Sequence, residues 1–395
     1  MSIFFPNQAV VGELPHATTG RFWLLRLGYY KLHRPKQMAD DWAWLIDHTV
    51  QVGPEKCLAI AGVRLSALPP RGTCLGLENL EPFALLPVET SNGEVVHEQL
   101  ESIAKAHGVP REILSDEGSD LRKGIRAFCS KHSTTLARVD LPHKAARLLK
   151  RLLEKEERWQ SFLTQVGQVK PKIRQTELAH LMPPQQRTKA RYMNLGMLLQ
   201  WGTKTLCIID NPPAQVLAHC TSDRLEEKLG WLRAYRQDLE RWSRLQQLTQ
   251  TAISYVRSEG YSARALVDIP KRLDTLARSA DEIWLRDQLV EFVREQSTGL
   301  REDERLVGST EILESSFGKL KNLENGHQQG GFTSLILLWA AMLGKTTTQT
   351  IRDAMISTPT KLVQRWIAKH LGTTVQSKRR TAYSAASAPE KPEET

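Results

Sequence analysis

Three acidic side chains stand in the order Asp, Asp, Glu in contexts that could hold metal ions. Asp47 ends an alternating apolar segment (WAWLIDHTV), Asp116 follows a short apolar segment (EILSDEG), and Glu314 lies on an amphipathic stretch (STEILESSFGKLK). Hydrolysis or transfer of a phosphodiester with two Mg²⁺ ions needs carboxylates that hold the ions about 4 Å apart. The three residues are therefore the candidates for metal-dependent phosphoryl chemistry.

Two of these candidates have an acidic neighbour that could take their place. Asp120 could replace Asp116, although its position favours an N-cap for a helix predicted over residues 121–132. Glu311 is the alternative to Glu314, because residues three apart share one face of a helix. Aspartates are also common in strand ends and glycine-rich turns for structural reasons, so the interpretation depends on the order and context of all three acids.

The segments around these acids predict an α/β layered domain. The alternation in WAWLIDHTV predicts a strand that is covered on both faces. Strand patterns recur over residues 56–65, 82–88, 111–115 and 136–141. Helical patterns fall between and after them, over residues 93–108, 121–132 and 143–166. This order predicts a mixed sheet flanked by helices, with Asp47 and Asp116 at the ends of two strands.

Long amphipathic helices replace the strand patterns from about residue 168, most clearly over 224–258. This change of pattern predicts a second, helical unit. The chain therefore divides into an irregular N-terminal lead-in (1–39), the first part of the α/β core (40–167), a helical insertion (168–304), a final part with the last core helix (305–371) and a disordered tail (372–395).

The charge of the chain is unevenly distributed. The formal net charge is +10, and residues 101–200 alone hold 19 Lys and Arg against 10 Asp and Glu. A local basic surface can bind a polyanion such as DNA. The alternative explanation is that these Lys and Arg residues lie on helix faces that are exposed to solvent and bind nothing. The five cysteines lack zinc-ligand spacing, and the longest apolar run, 332–343, is shorter than a membrane span. We therefore expect a cytoplasmic protein with no membrane contact.

The strings WLIDHTVQVGPEKCLAIAGV, EILSDEGSDLRKGIRAF and STEILESSFGKLKN resemble the catalytic core of bacterial insertion-sequence transposases of the DDE type. The resemblance implies a ribonuclease-H-like fold over residues 40 to about 345, with a large all-helical insertion before the last catalytic helix. It implies that Asp47, Asp116 and Glu314 are the catalytic metal ligands. It also implies two Mg²⁺ ions as the cofactor, with Mn²⁺ as a substitute.

Two shorter matches extend the resemblance. Asp140 and His143 match an Asp-x-x-His element that some of these enzymes carry after the second Asp. Lys321 follows Glu314 at the spacing of a Glu-x6-Lys signature. The resemblance therefore adds three supporting site candidates, Lys321, His143 and Asp140, beside Glu311, which is the alternative to Glu314.

The resemblance implies an enzyme that cleaves DNA at the ends of a mobile element and joins the freed 3′-hydroxyl to target DNA. A homodimer would pair the two ends, close to the bacterial nucleoid. Val307 and Thr310 stand where the signature has Tyr and Arg, and only 46 residues precede Asp47, where a helix-turn-helix domain is usual. We therefore also expect a truncated chain, or a catalytically inactive or domesticated copy that binds DNA, as the alternative.

Overall fold

The computed structural model describes residues 15–52, 55–88, 91–185, 191–325, 334–371 and 381–384. The chain forms two compact units. Unit 1 comprises Met1–Val139 and Thr310–Thr395, and unit 2 comprises Asp140–Ser309. Unit 2 is therefore an insertion into unit 1, and it begins at residue 140 rather than at the predicted residue 168.

The described elements follow one another in a mixed order along the chain. The strands are β1 (Trp42–Val52), β2 (Glu55–Arg64), β3 (Glu81–Val88), β4 (Glu112–Ser115) and β5 (Leu136–Val139). The helices are α1 (Ala17–His33), α2 (Gly93–His107), α3 (Ser119–Lys131), α4 (Leu141–Leu153), α5 (Glu157–Ile173), α6 (Leu195–Asp210), α7 (Ala214–Leu217), α8 (Ser222–Leu229), α9 (Arg236–Glu259), α10 (Ala265–Asp274), α11 (Ala280–Gln296), α12 (Glu311–Asn325), α13 (Leu337–Met342), α14 (Thr348–Ser357) and α15 (Thr360–Leu371).

The sheet of unit 1 has the strand order β3-β2-β1-β4-β5. The first three strands of the chain pair antiparallel, whereas β1 pairs with β4, and β4 with β5, in parallel. Antiparallel neighbours can be joined directly, but parallel neighbours need a crossover, which α3 supplies between β4 and β5. This order and these directions define a ribonuclease-H-like α/β fold, so the predicted fold class is confirmed.

One face of the sheet is covered by α2 and α3. Its core contains Trp44 and Ile46 of β1 together with Val96 and Leu100 of α2 and Phe128 of α3. Successive residues of a strand point to opposite faces, so the even-numbered residues of β1 face these two helices. The alternation in the sequence correctly indicated a strand buried on both faces.

The other face of the sheet carries α12. Ala43 and Leu45, the odd-numbered residues of β1, are fully buried but lie outside the α2 and α3 core. Helix α12 packs against β1 and α13. The Trp339 indole Nε1 of α13 donates to the Ser316 hydroxyl of α12 over 2.9 Å, and both residues are buried. This buried contact fixes α12 relative to the helices that follow it.

The predicted irregular lead-in is wrong where the structure describes it, because residues 17–33 form α1. Helix α1 packs against α13, α14, α15 and β3. A helix with neighbours on several sides needs no single apolar stripe, and α1 buries Gly28 and Lys31 beside its leucines. The sequence therefore lacks the regular spacing by which amphipathic helices are recognised.

Helices α1 and α13 approach each other closely at Gly28. A Cβ at this position would lie 2.0 Å from the carbonyl oxygen of Leu337, a backbone atom that cannot rotate away. We therefore expect Gly28→Ala to destabilise the protein by about 2 kcal/mol, as overpacking does in cores. Urea denaturation followed by circular dichroism measures this change.

Gly20 on the same helix is the control for this substitution. A Cβ there would meet no atom within 4 Å, so Gly20→Ala should stabilise the protein by about 0.5–1 kcal/mol through helix propensity. Equal effects of the two substitutions would contradict the close packing at Gly28.

All regular secondary structure among the described residues of unit 2 is helical, apart from one isolated bridge between Tyr261 and Leu306. The predicted all-helical insertion is therefore confirmed. The structure divides two helices that the sequence predicted as single. Residues 143–166 belong to α4 and α5, and residues 224–258 belong to α8, a 3-10 turn that starts at Gly230, and α9.

The C-terminal region lies largely outside the described residues. The predicted disordered tail, residues 372–395, is described only at 381–384, which are helical and exposed. Within the described part of the chain, no helix combines the length and the apolar composition that a membrane crossing requires.

Candidate active site

The register of the sheet brings Asp47 and Asp116 to neighbouring positions. Ile46 of β1 pairs in parallel with Ser115 of β4. Asp47 follows Ile46, and Asp116 follows Ser115, so both aspartates come next after a paired position. Adjacent strands lie about 4.8 Å apart, and the two strands run in the same direction. The two backbones therefore carry the aspartates next to each other, with Asp116 directly after the end of β4 and Asp47 within the central strand β1. The prediction that Asp47 ends its strand is wrong, because β1 continues to Val52.

Strand alternation places Asp47 on the face opposite α2 and α3. Ile46 and Ile113 both belong to the core under α2 and α3. Asp47 is one residue from Ile46, so the alternation directs it away from that core. This is the face against which α12 packs. The third acid of the predicted set lies on that helix.

Local hydrogen bonds define the loop that begins at Asp116. Its carboxylate Oδ1 accepts from the backbone N–H of Gly118 at 3.0 Å, and the Ser115 hydroxyl donates to the Asp116 carbonyl at 2.8 Å. An aspartate that bonds the backbone two residues ahead forms a local turn. The turn ends β4 and starts α3, so it also sets the direction in which the Asp116 side chain leaves the sheet.

Asp120 lies close to Asp116, since a Cβ on Gly118 would be 3.0 Å from Asp116 Oδ1 and 3.4 Å from Asp120 Oδ1, but the two acids have different neighbours. Helix α3 begins at Ser119 with Gly118 as its N-cap, so the predicted N-cap role of Asp120 is wrong. The Asp120 Oδ2 lies 3.6 Å from the Nε2 of His48, an even-numbered residue of β1 that faces the α2 and α3 side. The geometry supports Asp116 as the partner of Asp47.

Both candidate glutamates lie in the first turn of α12. The carboxylate Oε1 of Glu314 is buried, and its neighbours Leu313 and Phe317 belong to the buried side of the helix. Glu311, at the first position of α12, is half-buried. The burial of Oε1 favours Glu314 as the acid that points toward the sheet. Lys321, two turns further along, is exposed.

The three acids are suitable ligands for Mg²⁺, but their side chains do not form a closed set. Carboxylate oxygens are the ligands that Mg²⁺ prefers, and the backbones of Asp47 and Asp116 are adjacent. Nevertheless, among the residues that the structure describes, no three His, Cys, Asp or Glu side chains are close enough to hold a metal ion as they stand. The adjacent backbones of Asp47 and Asp116 are thus compatible with a metal site. Glu314 is compatible with it because it lies on α12 and its carboxylate Oε1 is buried.

Asp140 and His143 have a structural arrangement of their own within unit 2. Asp140 is fully buried and is the N-cap of α4. Its Oδ2 accepts from the backbone N–H of His143 at 2.9 Å and lies 2.6 Å from the ring Nδ1 of the same histidine. The Asp-x-x-His spacing is therefore explained by capping of α4. The helix begins at Leu141, two residues before the predicted start.

The tryptophans that could stack on DNA bases belong to the packing of unit 2. Trp242 is fully buried. Trp201 donates from its indole Nε1 to the Leu181 carbonyl at 2.8 Å. The guanidinium of Arg151 lies over the ring of Trp284, 5.1 Å from its centroid. These contacts assign the three tryptophans to the packing of unit 2 and not to base stacking.

No protein-family model matches the chain, and no curated protein matches it. The chain is similar to a solved structure, the Drosophila P element transposase strand transfer complex. The sequences are 10% identical, the TM-score is 0.41, and the match covers 86% of this chain and 87% of that chain. A likeness of this size defines neither a family nor an activity for this chain.

Proposed function

We propose that this chain is a DDE-type transposase of the bacterial insertion-sequence kind, which cleaves DNA strands at the ends of a mobile element and transfers them to target DNA. The observation that carries the proposal is the pairing of Ile46 with Ser115, which brings the backbones of Asp47 and Asp116 next to each other in the sheet against which α12 packs. The resemblance of the three sequence strings supports the same assignment.

In this function, Asp47, Asp116 and Glu314 hold two Mg²⁺ ions, for which Mn²⁺ substitutes. When bound, the ions activate the attacking oxygen and stabilise the leaving oxygen of a phosphodiester. The strands carry the two aspartates on a rigid frame, and α12 brings the glutamate from the same side. Basic residues within 101–200 bind the DNA backbone without reading its sequence. A homodimer pairs the two element ends.

The second candidate is a catalytically inactive protein that binds DNA. It is favoured by the absence, among the described residues, of a ready set of three metal-ligating side chains. The two candidates differ in one measurable respect, because only an enzyme requires the carboxylate charge of Glu314.

The test compares Glu314→Gln with Glu311→Gln. The substrate is a supercoiled plasmid that carries the genomic segment around the coding sequence, and nicking is measured with Mg²⁺ and with EDTA. We expect Mg²⁺-dependent nicking by the unmodified protein, a loss of about 100-fold or more in Glu314→Gln, and less than about threefold change in Glu311→Gln.

The glutamate pair is matched, because both substitutions remove one carboxylate from the first turn of the same helix. Equal losses in the two variants would exclude the assignment of Glu314. If none of the three proteins nicks the plasmid, but the unmodified protein still binds DNA, the chain is the inactive binding protein instead.

A further inference from the structure

A cavity opens beside Asp116 in unit 1, between α3 and β5. Its volume is about 370 Å³, near the lower end of the range of about 300–1,000 Å³ for small-ligand sites. We refer to this cavity as the α3–β5 pocket. It has room for one small ligand and excludes a duplex. Its position at Asp116 connects it with the candidate active site.

Three arginines line the pocket. Arg122 and Arg126 are four residues apart on α3 and therefore share a helix face, and both are exposed. Arg138 projects from β5 and is 8% exposed. Its Nη1 donates to the Ala137 carbonyl at 3.1 Å. The planar guanidinium group offers paired donors that match the oxygens of a phosphate.

Two carboxylates, Asp116 and Glu117, are the acidic residues of the same lining. Three arginines thus outnumber the acids. The Cys129 thiol, which also lines the pocket, adds no negative charge near neutral pH, because burial raises its pKa to about 11 against the opposing effect of the Arg138 charge. The balance of charge in the pocket favours an anion.

Ser115 and Ser130 also line the pocket, and the rest of the wall is apolar. Ile125 of α3 and Ala137 and Val139 of β5 contribute alkyl groups to the lining. A pocket that bound only an inorganic anion would gain nothing from this apolar surface. A nucleotide has both chemical features, since its phosphate pairs with arginine and the face of its base is largely apolar.

We propose that the α3–β5 pocket binds one unpaired nucleotide of the DNA strand that enters the candidate active site. The phosphate contacts Arg122 and Arg126 at the exposed rim, and the base lies against Ile125 and Ala137. The inference rests on the proposed function, because DNA is the ligand and Asp116 lies at the pocket. The bound nucleotide would hold the strand next to the phosphodiester that reacts.

The test measures binding by fluorescence anisotropy in EDTA, so that cleavage does not enter the result. One probe is a blunt duplex, and the other is the same duplex with a four-nucleotide single-stranded 3′ extension. We expect the unmodified protein to bind the extended probe about tenfold more tightly than the blunt probe. Arg126→Ala should remove most of this preference and leave binding of the blunt duplex within about threefold.

Lys123→Ala is the matched control, because Lys123 is an exposed cation on the same helix that does not line the pocket. This variant should keep the preference. Ala137→Glu tests the pocket without removing an arginine, since it adds a carboxylate at an exposed position of the wall. It should abolish the preference. Loss of the preference in Lys123→Ala, or its retention in both pocket variants, would overturn the proposal.

Two further outcomes separate this proposal from the proposed function and from other ligands. Cleavage without any preference for the extended probe would overturn the pocket assignment and leave the nuclease assignment intact. A preference without Mg²⁺-dependent cleavage would support the pocket and reject the enzyme. If free dAMP competes as strongly as the extended DNA, the pocket binds free nucleotides and the assignment to a DNA strand is rejected.

Discussion

Asp116→Asn is expected to reduce Mg²⁺-dependent DNA cleavage by about 10²–10⁴-fold, because a lost metal ligand removes several kcal/mol of transition-state stabilisation. The amide keeps the shape of the carboxylate and can still accept the bond from the Gly118 N–H. The turn should therefore remain, and the melting temperature should change little. DNA affinity should be unchanged or raised, since one charge that repels phosphate is removed. Nicking and a circular-dichroism melt measure the two effects.

Asp120→Asn is the control for this substitution. Asp120 lies four residues further along the chain, and its carboxylate is 3.6 Å from His48. The same chemical change there should leave cleavage within about threefold of the unmodified protein. If Asp116→Asn still cleaves DNA and Asp120→Asn does not, Asp120 is the catalytic residue and Asp116 is not.

The positions of the two aspartates show what a sequence can reveal about this site. The apolar segment before Asp116 was sufficient to place this acid directly after a strand. The alternation before Asp47 correctly predicted a strand, but β1 continues to Val52, so Asp47 lies within the strand and not at its end. These two patterns could not reveal that β4 pairs with β1, because strand pairing joins residues about 70 positions apart. The pairing of Ile46 with Ser115 therefore comes only from the folded structure.

Other features depended on contacts that no local pattern contains. The sequence left Glu311 and Glu314 as alternatives, and the buried Oε1 of Glu314 distinguishes them only once α12 is packed. The pocket arginines were not singled out either. Two features of the sequence could have indicated them. Arg122 and Arg126 are four residues apart on one helix face, and Lys and Arg outnumber Asp and Glu over residues 101–200. Neither feature shows that β5 supplies a third arginine.

Lys31→Met is expected to destabilise unit 1 by about 3 kcal/mol. The Lys31 side chain is fully buried. Its Nζ donates to the carbonyl oxygens of Leu343 at 2.6 Å, Gly344 at 3.0 Å and Ala341 at 3.2 Å, and to the Thr346 hydroxyl at 2.7 Å. These acceptors lie at and beyond the C-terminus of α13, where carbonyls lack partners inside the helix and where a positive charge is favourable.

Methionine fills much of the same volume but offers no donor. Each buried carbonyl that loses its partner costs about 1–3 kcal/mol, and relief from burying a charge offsets part of the sum. Urea denaturation measures the change in the free energy of unfolding. Lys36→Met is the comparison, because the Lys36 Nζ donates to two carbonyls of α1 but is only half-buried. Burial lowers the pKa of Lys36 to about 8 as well, so water replaces its amine only in part. The loss should be about 1–2 kcal/mol, smaller than that of Lys31→Met, because only two carbonyls lose their donor.

The effect of Lys31→Met should also depend on pH. Burial lowers the pKa of Lys31 to about 8, whereas an unfolded lysine has a pKa near about 10.4. Between these values the unfolded chain binds more protons than the folded chain. The free energy of unfolding of the unmodified protein therefore rises with pH by up to about 1 kcal/mol per pH unit from this group. Methionine lacks this contribution, so the deficit of the variant should grow between about pH 8 and 10. A deficit that shrinks over this range would show that the four acceptors hold the charged amine more strongly than burial opposes it, which would raise the pKa of Lys31 in the folded protein.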